Sequence, residues 1–423
     1  MGHKMQVRKT MQFKYLFSMM LTLGLVLSST GVHAGAREQA KRIHDRLAGV
    51  PASNAVIDAM EACILDKNST VCSDGGGDSS LGNGAVVAAH IAMQNPAFYN
   101  ATVKNFASPW TNEEQDVFVP LNDYSATVIG MVRDSTPFSS LLSADIIYIG
   151  APTLGLPAYS ATNNNHYIEI EQRNIDMSST TNLVAMSQST VTGLPANATA
   201  GVMTTRAAAR AFFIDGTNRA MFRFTVLNHM CNDMEQIKDN TRAHDRVRQD
   251  VSRSPGGDSR LFFNDCVACH AGMDPMAQAF AYYNFEYTAG NEDSGRLVYT
   301  PGNVQAKYLI NAGNFKYGYV TTDDRWDNYW RVGPNSLLGW DTQNLSLPAS
   351  GNGAKTMGRE LGNSHAFAAC QVKKVFKTVC LREPTVDDTT TTSESTTITA
   401  SFKSNNYNMK MLFAETAEAC MGN

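Results

Sequence analysis

The sequence lacks several features that would place it in a familiar class. Charged residues make up only 17% of its 423 residues, and the formal net charge is −4. It therefore has neither the basic excess of nucleic-acid-binding proteins nor the acidic excess of disordered chains. A G-x-S-x-G segment, a repeat of fixed period and a calcium loop with EF-hand spacing are also missing. We expect no nucleic-acid partner and a globular chain whose apolar share, 43%, is ordinary.

Long apolar runs are scarce as well. The run "LFSMMLTLGLVL", residues 16–27, has 12 residues, whereas a membrane-spanning helix needs about 20. Basic residues precede this run and small residues follow it, with Val32-His33-Ala34 as a cleavage site. This three-part pattern predicts that residues 1–34 are a cleaved secretory signal peptide rather than a membrane anchor. We expect a mature chain with no transmembrane segment, located in the periplasm or at the cell surface.

The chain has eight cysteines, and free thiols rarely persist in an oxidising compartment. Cys63 and Cys72 are predicted to pair with each other across a short loop. The segment containing Cys370 and Cys380 has a helical pattern, which would separate the two by about 15 Å. A disulfide requires Cα atoms within about 7 Å of each other. We therefore expect Cys370 and Cys380 to pair elsewhere, with Cys231 and Cys420 as their natural partners.

Helical patterns dominate, and they predict a mainly α, multi-helix fold with minor short β segments. Residues 35–197 are predicted to form a mainly helical domain with Gly-, Ser- and Asn-rich loops. Within it "HYIEIEQ", residues 166–172, alternates like a strand or hairpin arm. Residues 198–345 are predicted to form a second domain. A C-terminal helical domain follows at 346–423, with a polar Ser/Thr linker at 386–400.

The segment "NDCVACHAGMDP", residues 264–275, contains the pattern C-x-x-C-H, the attachment motif of c-type haem. The thiols of Cys266 and Cys269 would form thioethers with the two haem vinyl groups, and His270 would ligate the iron. We expect one covalently attached haem c bound through these three residues. A zinc site, a thioredoxin-like redox pair and a short disulfide are the alternatives. The sequence lacks both a second Cys/His pair at zinc spacing and a βαβ context.

The sixth iron ligand is less constrained by the sequence. Met357, in the Gly-rich segment "GNGAKTMGREL", is the favoured candidate, with His365, Met409 and Met411 as rivals. Most of the 20 methionines are expected to fill the core. Beside His270, either a backbone carbonyl or the carboxylate of Asp274 is expected to accept a hydrogen bond from the second imidazole nitrogen. A helix-ending turn at Asp274-Pro275 is another interpretation of the same residues.

The segment "CVACHAGMDPMAQAFAYYNF" resembles the signature of the planctomycete-type single-haem cytochrome c family, whose haem domain is embedded among helical domains of unknown function. "STPFSSLLSADIIYIG" and "MGRELGNSHAFAACQVKKVFKTVCLREP" are more weakly similar to elements of the same family. The resemblance implies an embedded c-type cytochrome domain over 198–345. It assigns Cys266, Cys269 and His270 to haem and identifies no substrate.

A single haem without a recognisable substrate site favours electron transfer to or from another redox protein. The alternatives are a haem-dependent peroxidase or oxygenase, the cytochrome subunit of a periplasmic dehydrogenase, and a protein in which haem only stabilises the fold. Di-haem peroxidases need two C-x-x-C-H motifs, and this chain has one. Electron transfer is therefore the leading hypothesis.

Overall fold

The computed structural model describes residues 34–214, 217–340, 347–386 and 393–422, and it is mainly helical, with 52% helix and 9% strand. Its strands form three separate antiparallel pairs within these ranges, so the predicted mainly α fold with minor short β segments is confirmed. The predicted signal peptide lies outside the described residues except for Ala34. Across the described ranges, no helix combines the length and apolar character required to cross a bilayer.

The first part of the described chain is built from short helices that follow the apolar spacing of the sequence. Their bounds are α1 (Ala36–Ala48), α2 (Asn54–Leu65), α3 (Thr70–Asp74), α4 (Gly84–Ala92) and α5 (Lys104–Ala107). Helix α1 buries Ala40, Ile43 and Leu47, which recur on one helix face. The hydroxyl of Ser53 caps α2 by accepting the N–H of Val56 at 3.4 Å.

The middle of the chain combines helices with one strand pair. The elements are α6 (Asp123–Arg133), β1 (Ile147–Gly150), α7 (Asn165–Gln172), β2 (Leu183–Met186), α8 (Gln188–Thr192), α9 (Arg206–Phe212) and α10 (Arg219–Met230). Residues 166–172 lie in α7, so the predicted strand is wrong. The alternation misled because the buried residues are His166, Tyr167 and Ile170. Spacings of one and four residues define a helix face, not a strand face.

The segment with the Cys-His motif is helical almost throughout. Helical structure begins at Ser259, passes through a π-helical turn at Phe262–Cys266 and continues as α11 (Val267–Ala277). Pro275 lies inside α11, so the interpretation of Asp274-Pro275 as a helix-ending turn is wrong. Pro275 cannot donate the hydrogen bond that an N–H would make to the carbonyl oxygen of Ala271, yet the helix continues through it to Ala277.

Two strand pairs and four helices complete the described chain. They are β3 (Tyr283–Thr288), β4 (Asn291–Tyr299), β5 (Arg325–Asp327), β6 (Ser350–Asn352), α12 (Gly353–Gly362), α13 (His365–Val379), α14 (Glu394–Ser404) and α15 (Met409–Ala419). Within the linker predicted at 386–400, residues 387–392 lie outside the described residues, and 394–400 belong to α14. Ser393 caps that helix, and the side chains of Ile398 and Phe402, which are one turn apart, are buried.

One main hydrophobic core contains residues from all three predicted segments, from Ala40 to Met421. The closing helix α15 packs against α4 and α1 near the beginning of the described chain, and α13 packs against α10. Helix α11 packs on α10 and on β5. The three segments predicted from the sequence therefore pack against one another across the boundaries at residues 197 and 345.

Candidate functional site

Six of the eight cysteines form disulfides; the Cys63–Cys72 pair and the choice of Cys231 and Cys420 as partners for Cys370 and Cys380 are confirmed, and the structure decides which partner goes with which. Cys63 pairs with Cys72 and Cys231 with Cys370. Cys380 pairs with Cys420. Cys266 and Cys269 remain free thiols, and both are partly exposed. The motif therefore contains the two thiols that are available for other chemistry.

The three motif residues lie on one side of the motif helix. Cys266 directly precedes α11, and Cys269 and His270 follow three and four residues later. Helical residues at these spacings are neighbours, with Cβ atoms about 5–6 Å apart. The Cys269 thiol lies 3.6 Å from the carbonyl oxygen of Met234, and burial, followed by the charge of Glu235, raises its pKa. This thiol is therefore protonated at neutral pH.

The imidazole of His270 is held from one side by a buried carboxylate. Its Nδ1 lies 3.0 Å from Oδ1 of Asp274, one helical turn further along α11. The His270 side chain is 21% exposed, whereas that of Asp274 is fully buried. Because an ionised carboxylate can only accept, Nδ1 carries the proton and donates it. The other ring nitrogen, Nε2, has no hydrogen bond to any residue that the structure describes.

Asp274 is kept ionised by positive charge and hydrogen bonds from outside α11. Nε and Nη2 of Arg219 donate to its two oxygens at 2.7 and 2.9 Å. The backbone N–H of Arg248 also donates, at 3.2 Å. Burial by itself would raise the pKa of Asp274, but the charges of Arg219 and then of His270 outweigh it and hold that pKa well below its usual value.

A second carboxylate completes this buried network. Asp250 accepts two hydrogen bonds from Arg219, both at 2.9 Å, and one from Nη2 of Arg248 at 3.1 Å. Arg219 therefore bridges two carboxylates, those of Asp250 and Asp274, which lie 31 and 55 residues away in the chain. Sequence reasoning missed Arg219, Arg248 and Asp250. No local pattern marks them, because their partnership arises from tertiary packing.

An indole ring packs closely on α11 at Gly272. A Cβ at Gly272 would clash with the ring of Trp330, so only glycine lets this ring approach the helix. Trp330 is buried and stacks on Phe222 of α10 with ring centroids 5.8 Å apart. The helix that carries Cys269 and His270 is thus fixed by an aromatic contact as well as by ion pairs.

The candidates for the sixth ligand lie in the C-terminal helices. Met357 is fully buried on α12, a helix that packs on the turn Gln278–Phe280 directly after α11. His365 begins α13 and is exposed. Met409 begins α15 and is buried, and Met411 of the same helix is partly buried. The assignment of Met357 as iron ligand stays a prediction, because burial in the core suits a packing role equally well.

Among the residues that the structure describes, no group of three or more His, Cys, Asp and Glu side chains is placed to hold a metal ion. No family model matches the chain, and neither a curated protein nor a solved structure matches it. The planctomycete-type cytochrome c resemblance therefore remains a prediction that rests on the motif residues.

Proposed function

We propose that this chain is an exported c-type cytochrome with one covalently attached haem, and that it transfers electrons to or from a periplasmic or cell-surface redox protein. The observation that carries the proposal is the contrast among the cysteines. Six are consumed in disulfides, while Cys266 and Cys269 stay free beside His270 on one helical segment. In an oxidising compartment, two nearby cysteines without a disulfide are unusual, so we expect their thiols to take part in other chemistry.

The residues around the motif fit a haem. The two thiols are partly exposed, as attachment requires, and Nε2 of His270 is unengaged by the described residues while Nδ1 is held by Asp274. Leu261 and Phe263, in the two turns before Cys266, are 44% and 51% exposed. These apolar side chains would be covered by a macrocycle bound at the thiols, which would remove unfavourable apolar surface from water.

The chain's own residues would have separate roles. When bound, a c-type haem supplies a one-electron Fe(III)/Fe(II) couple. Cys266 and Cys269 would anchor it and prevent its loss outside the cell. His270 would supply an imidazole nitrogen to the iron, and Asp274 would hold the ring in the tautomer that leaves Nε2 available. Met357 would supply a second protein ligand to the iron.

A haem-dependent enzyme is the second candidate, and the carboxylate on Nδ1 is the observation that favours it. A charged acceptor makes the imidazole a stronger electron donor than a neutral carbonyl would. Such a ligand suits an iron that reacts with a bound small molecule as well as one that only carries electrons. Carbon monoxide binding to the reduced protein would support this candidate, and no binding would support electron transfer.

The test is to produce the full chain in a host with c-haem maturation machinery. We expect a Soret band and a reduced α-band in the wild type, and the loss of both in Cys266→Ser/Cys269→Ser. The matched control is Cys63→Ser/Cys72→Ser, which also removes two thiols but should keep both bands. A wild type without these bands, or a motif variant that retains them, would refute the proposal.

The same preparation tests the sixth ligand. A ferric protein with methionine ligation shows a sulfur-to-iron charge-transfer band, and we expect Met357→Ala to abolish it. Met411→Ala is the control, since that methionine is a rival candidate on another helix. Retention of the band in Met357→Ala would rule out Met357, and its loss in Met411→Ala would reassign the ligand.

A further inference from the structure

Four charged groups are buried behind α11, where they form one connected network. The side chains of Arg219, Arg248, Asp250 and Asp274 are 18%, 2%, 6% and 0% exposed. Two positive and two negative charges balance one another. This network connects to the partly exposed site through the hydrogen bond from His270 to Asp274.

Stability alone is a poor explanation for this network. Well-packed apolar residues of similar volume often stabilise a protein as much as a buried ion pair, or more. The network does have a geometric consequence, however. Because Arg219 contacts both oxygens of Asp274, the carboxylate is held at two points and presents Oδ1 to Nδ1 of His270. Asp250 holds Arg219 in turn, again at two points.

We infer that Arg219 is a positioning residue for His270: it fixes the carboxylate of Asp274 on Nδ1, and the carboxylate thereby sets the tautomer of the ring and lowers the reduction potential of the bound haem. The inference rests on the proposed function for its statement about potential. Its statement about the ring concerns the chain alone and can be tested without haem.

The physical reason lies in the charge of the acceptor. A carboxylate on the far nitrogen raises the basicity of a metal-bound imidazole, and a more basic ligand stabilises the ferric over the ferrous state. Charge-assisted hydrogen bonds are also shorter and stronger than neutral ones, so they orient the ring better. Arg219 supplies the orientation, and Asp274 supplies the charge.

The first experiment measures the reduction potential of the haem-loaded full chain. Asp274→Asn keeps the shape of the side chain and removes its charge. We expect the equilibrium constant for reduction to rise at least tenfold, which is about 59 mV for a one-electron couple. Asp258→Asn is the control, because Asp258 is partly exposed and pairs with Arg260 close to the same segment. An unchanged potential in Asp274→Asn would overturn the electronic part of the inference.

The second experiment isolates Arg219 without haem. It uses the full chain with Cys266→Ser/Cys269→Ser and records nitrogen-15 NMR of the His270 ring at about pH 9, where a histidine ring is ordinarily neutral. We expect a single tautomer protonated at Nδ1. Adding Arg219→Gln/Asp250→Asn removes one charge of each sign, so Arg248 and Asp274 still balance, and we expect both tautomers to be populated.

A matched pair on the same helix provides the control. Arg223 lies one turn after Arg219 and makes a two-point contact with Asp233, but on the exposed surface. Arg223→Gln/Asp233→Asn should leave the single tautomer unchanged, and circular dichroism should show that both double variants are folded. A single tautomer in folded Arg219→Gln/Asp250→Asn would overturn the positioning role. Failure of haem attachment would instead count against the proposed function, and the NMR result would still stand.

Discussion

The interior between α4 and α15 is built from aliphatic and aromatic side chains, such as Val87 and Phe413, whereas the interior behind α11 contains two buried Arg–Asp pairs. The helical regions outside α11 also contain all three disulfides. The α11 region contains the two free thiols instead. The first part is thus stabilised by apolar burial and covalent links, and the second combines apolar burial with buried charge.

This difference indicates where the fold serves stability and where it serves a site. Apolar burial is non-directional, so it holds helices together without fixing the orientation of one polar ring. Paired charges with two-point hydrogen bonds are directional. The region that needs a defined imidazole therefore contains the buried ion pairs.

The largest expected effect concerns the covalent links. Cys231–Cys370 closes a separation of 139 residues, and Cys63–Cys72 closes one of 9. From the entropy of loop closure we expect Cys231→Ser/Cys370→Ser to cost about 5 kcal/mol of unfolding free energy and Cys63→Ser/Cys72→Ser to cost about 3 kcal/mol. Denaturant unfolding measures both. Equal losses would show that the covalent links do not stabilise the helical part in proportion to the loops they close.

Breaking the buried charge network should cost nearly as much. Arg219→Met leaves Asp250 and Asp274 without their shared cation, and we expect a loss of about 3–5 kcal/mol. The exposed counterpart, Arg223→Met, should cost about 1 kcal/mol or less, because water screens the pair with Asp233. Similar losses in the two variants would show that burial does not make the Arg219 network stronger than an exposed ion pair.

Close packing of Trp330 on α11 predicts a smaller effect. Gly272→Ala would improve helix propensity by about 1 kcal/mol on an open surface. Here the added methyl group meets the indole ring, so we expect a net loss of about 1–3 kcal/mol from overpacking. Thermal unfolding of Gly272→Ala measures this loss. Adding Trp330→Phe to that variant replaces the indole with a smaller ring and should restore part of the lost stability. A stabilised Gly272→Ala would show that the ring does not fix this helix.

A further test concerns a single cation in the mainly apolar part. The ammonium of Lys374 lies 4.3 Å from the centroid of the Trp110 ring. Burial, together with the charge of Lys377, lowers the pKa of Lys374 from 10.5 to about 7. Between these values the unfolded chain binds a proton that the folded chain does not, so the unfolding free energy should rise with pH in this window.

Two lysine variants isolate this contribution. Lys374→Met should flatten the rise in unfolding free energy between pH 7 and pH 10.5, relative to the wild type. Lys41→Met on α1 is the control, because Lys41 is exposed, and it should leave the slope unchanged. If Lys374→Met has the slope of the wild type, the ammonium is not held in an apolar environment.

Much of the fold could be predicted because local rules decided it. The helical rise kept Cys370 and Cys380 apart, and this restriction led to Cys231 and Cys420 as their partners without deciding which pairs with which. Short segments were less predictable. Residues 166–172 alternate over too few positions to separate a strand from a helix. In α14 the cap at Ser393 and the buried pair Ile398 and Phe402 lie within a Ser/Thr-rich stretch that has the composition of a linker.

Only those residues of the candidate site that lie close together in the sequence could be predicted. The motif pointed to Cys266, Cys269 and His270, and the carboxylate of Asp274 was one of two candidate acceptors beside a backbone carbonyl; the geometry places that carboxylate on Nδ1 of His270. Arg219 lies 55 residues before Asp274, among 35 lysines and arginines, and nothing in its local sequence distinguishes it. Such a partnership depends on how α10 packs on α11, which no single-sequence pattern encodes.

The most direct test of the central claim is mass spectrometry of one peptide. Trypsin cleaves after Arg260 and next after Arg296, so residues 261–296 form a single peptide that contains both motif cysteines and His270. In protein from a host that attaches c haem, we predict that this peptide carries the mass of one haem and absorbs visible light. The bare peptide mass with two alkylatable thiols would contradict the account.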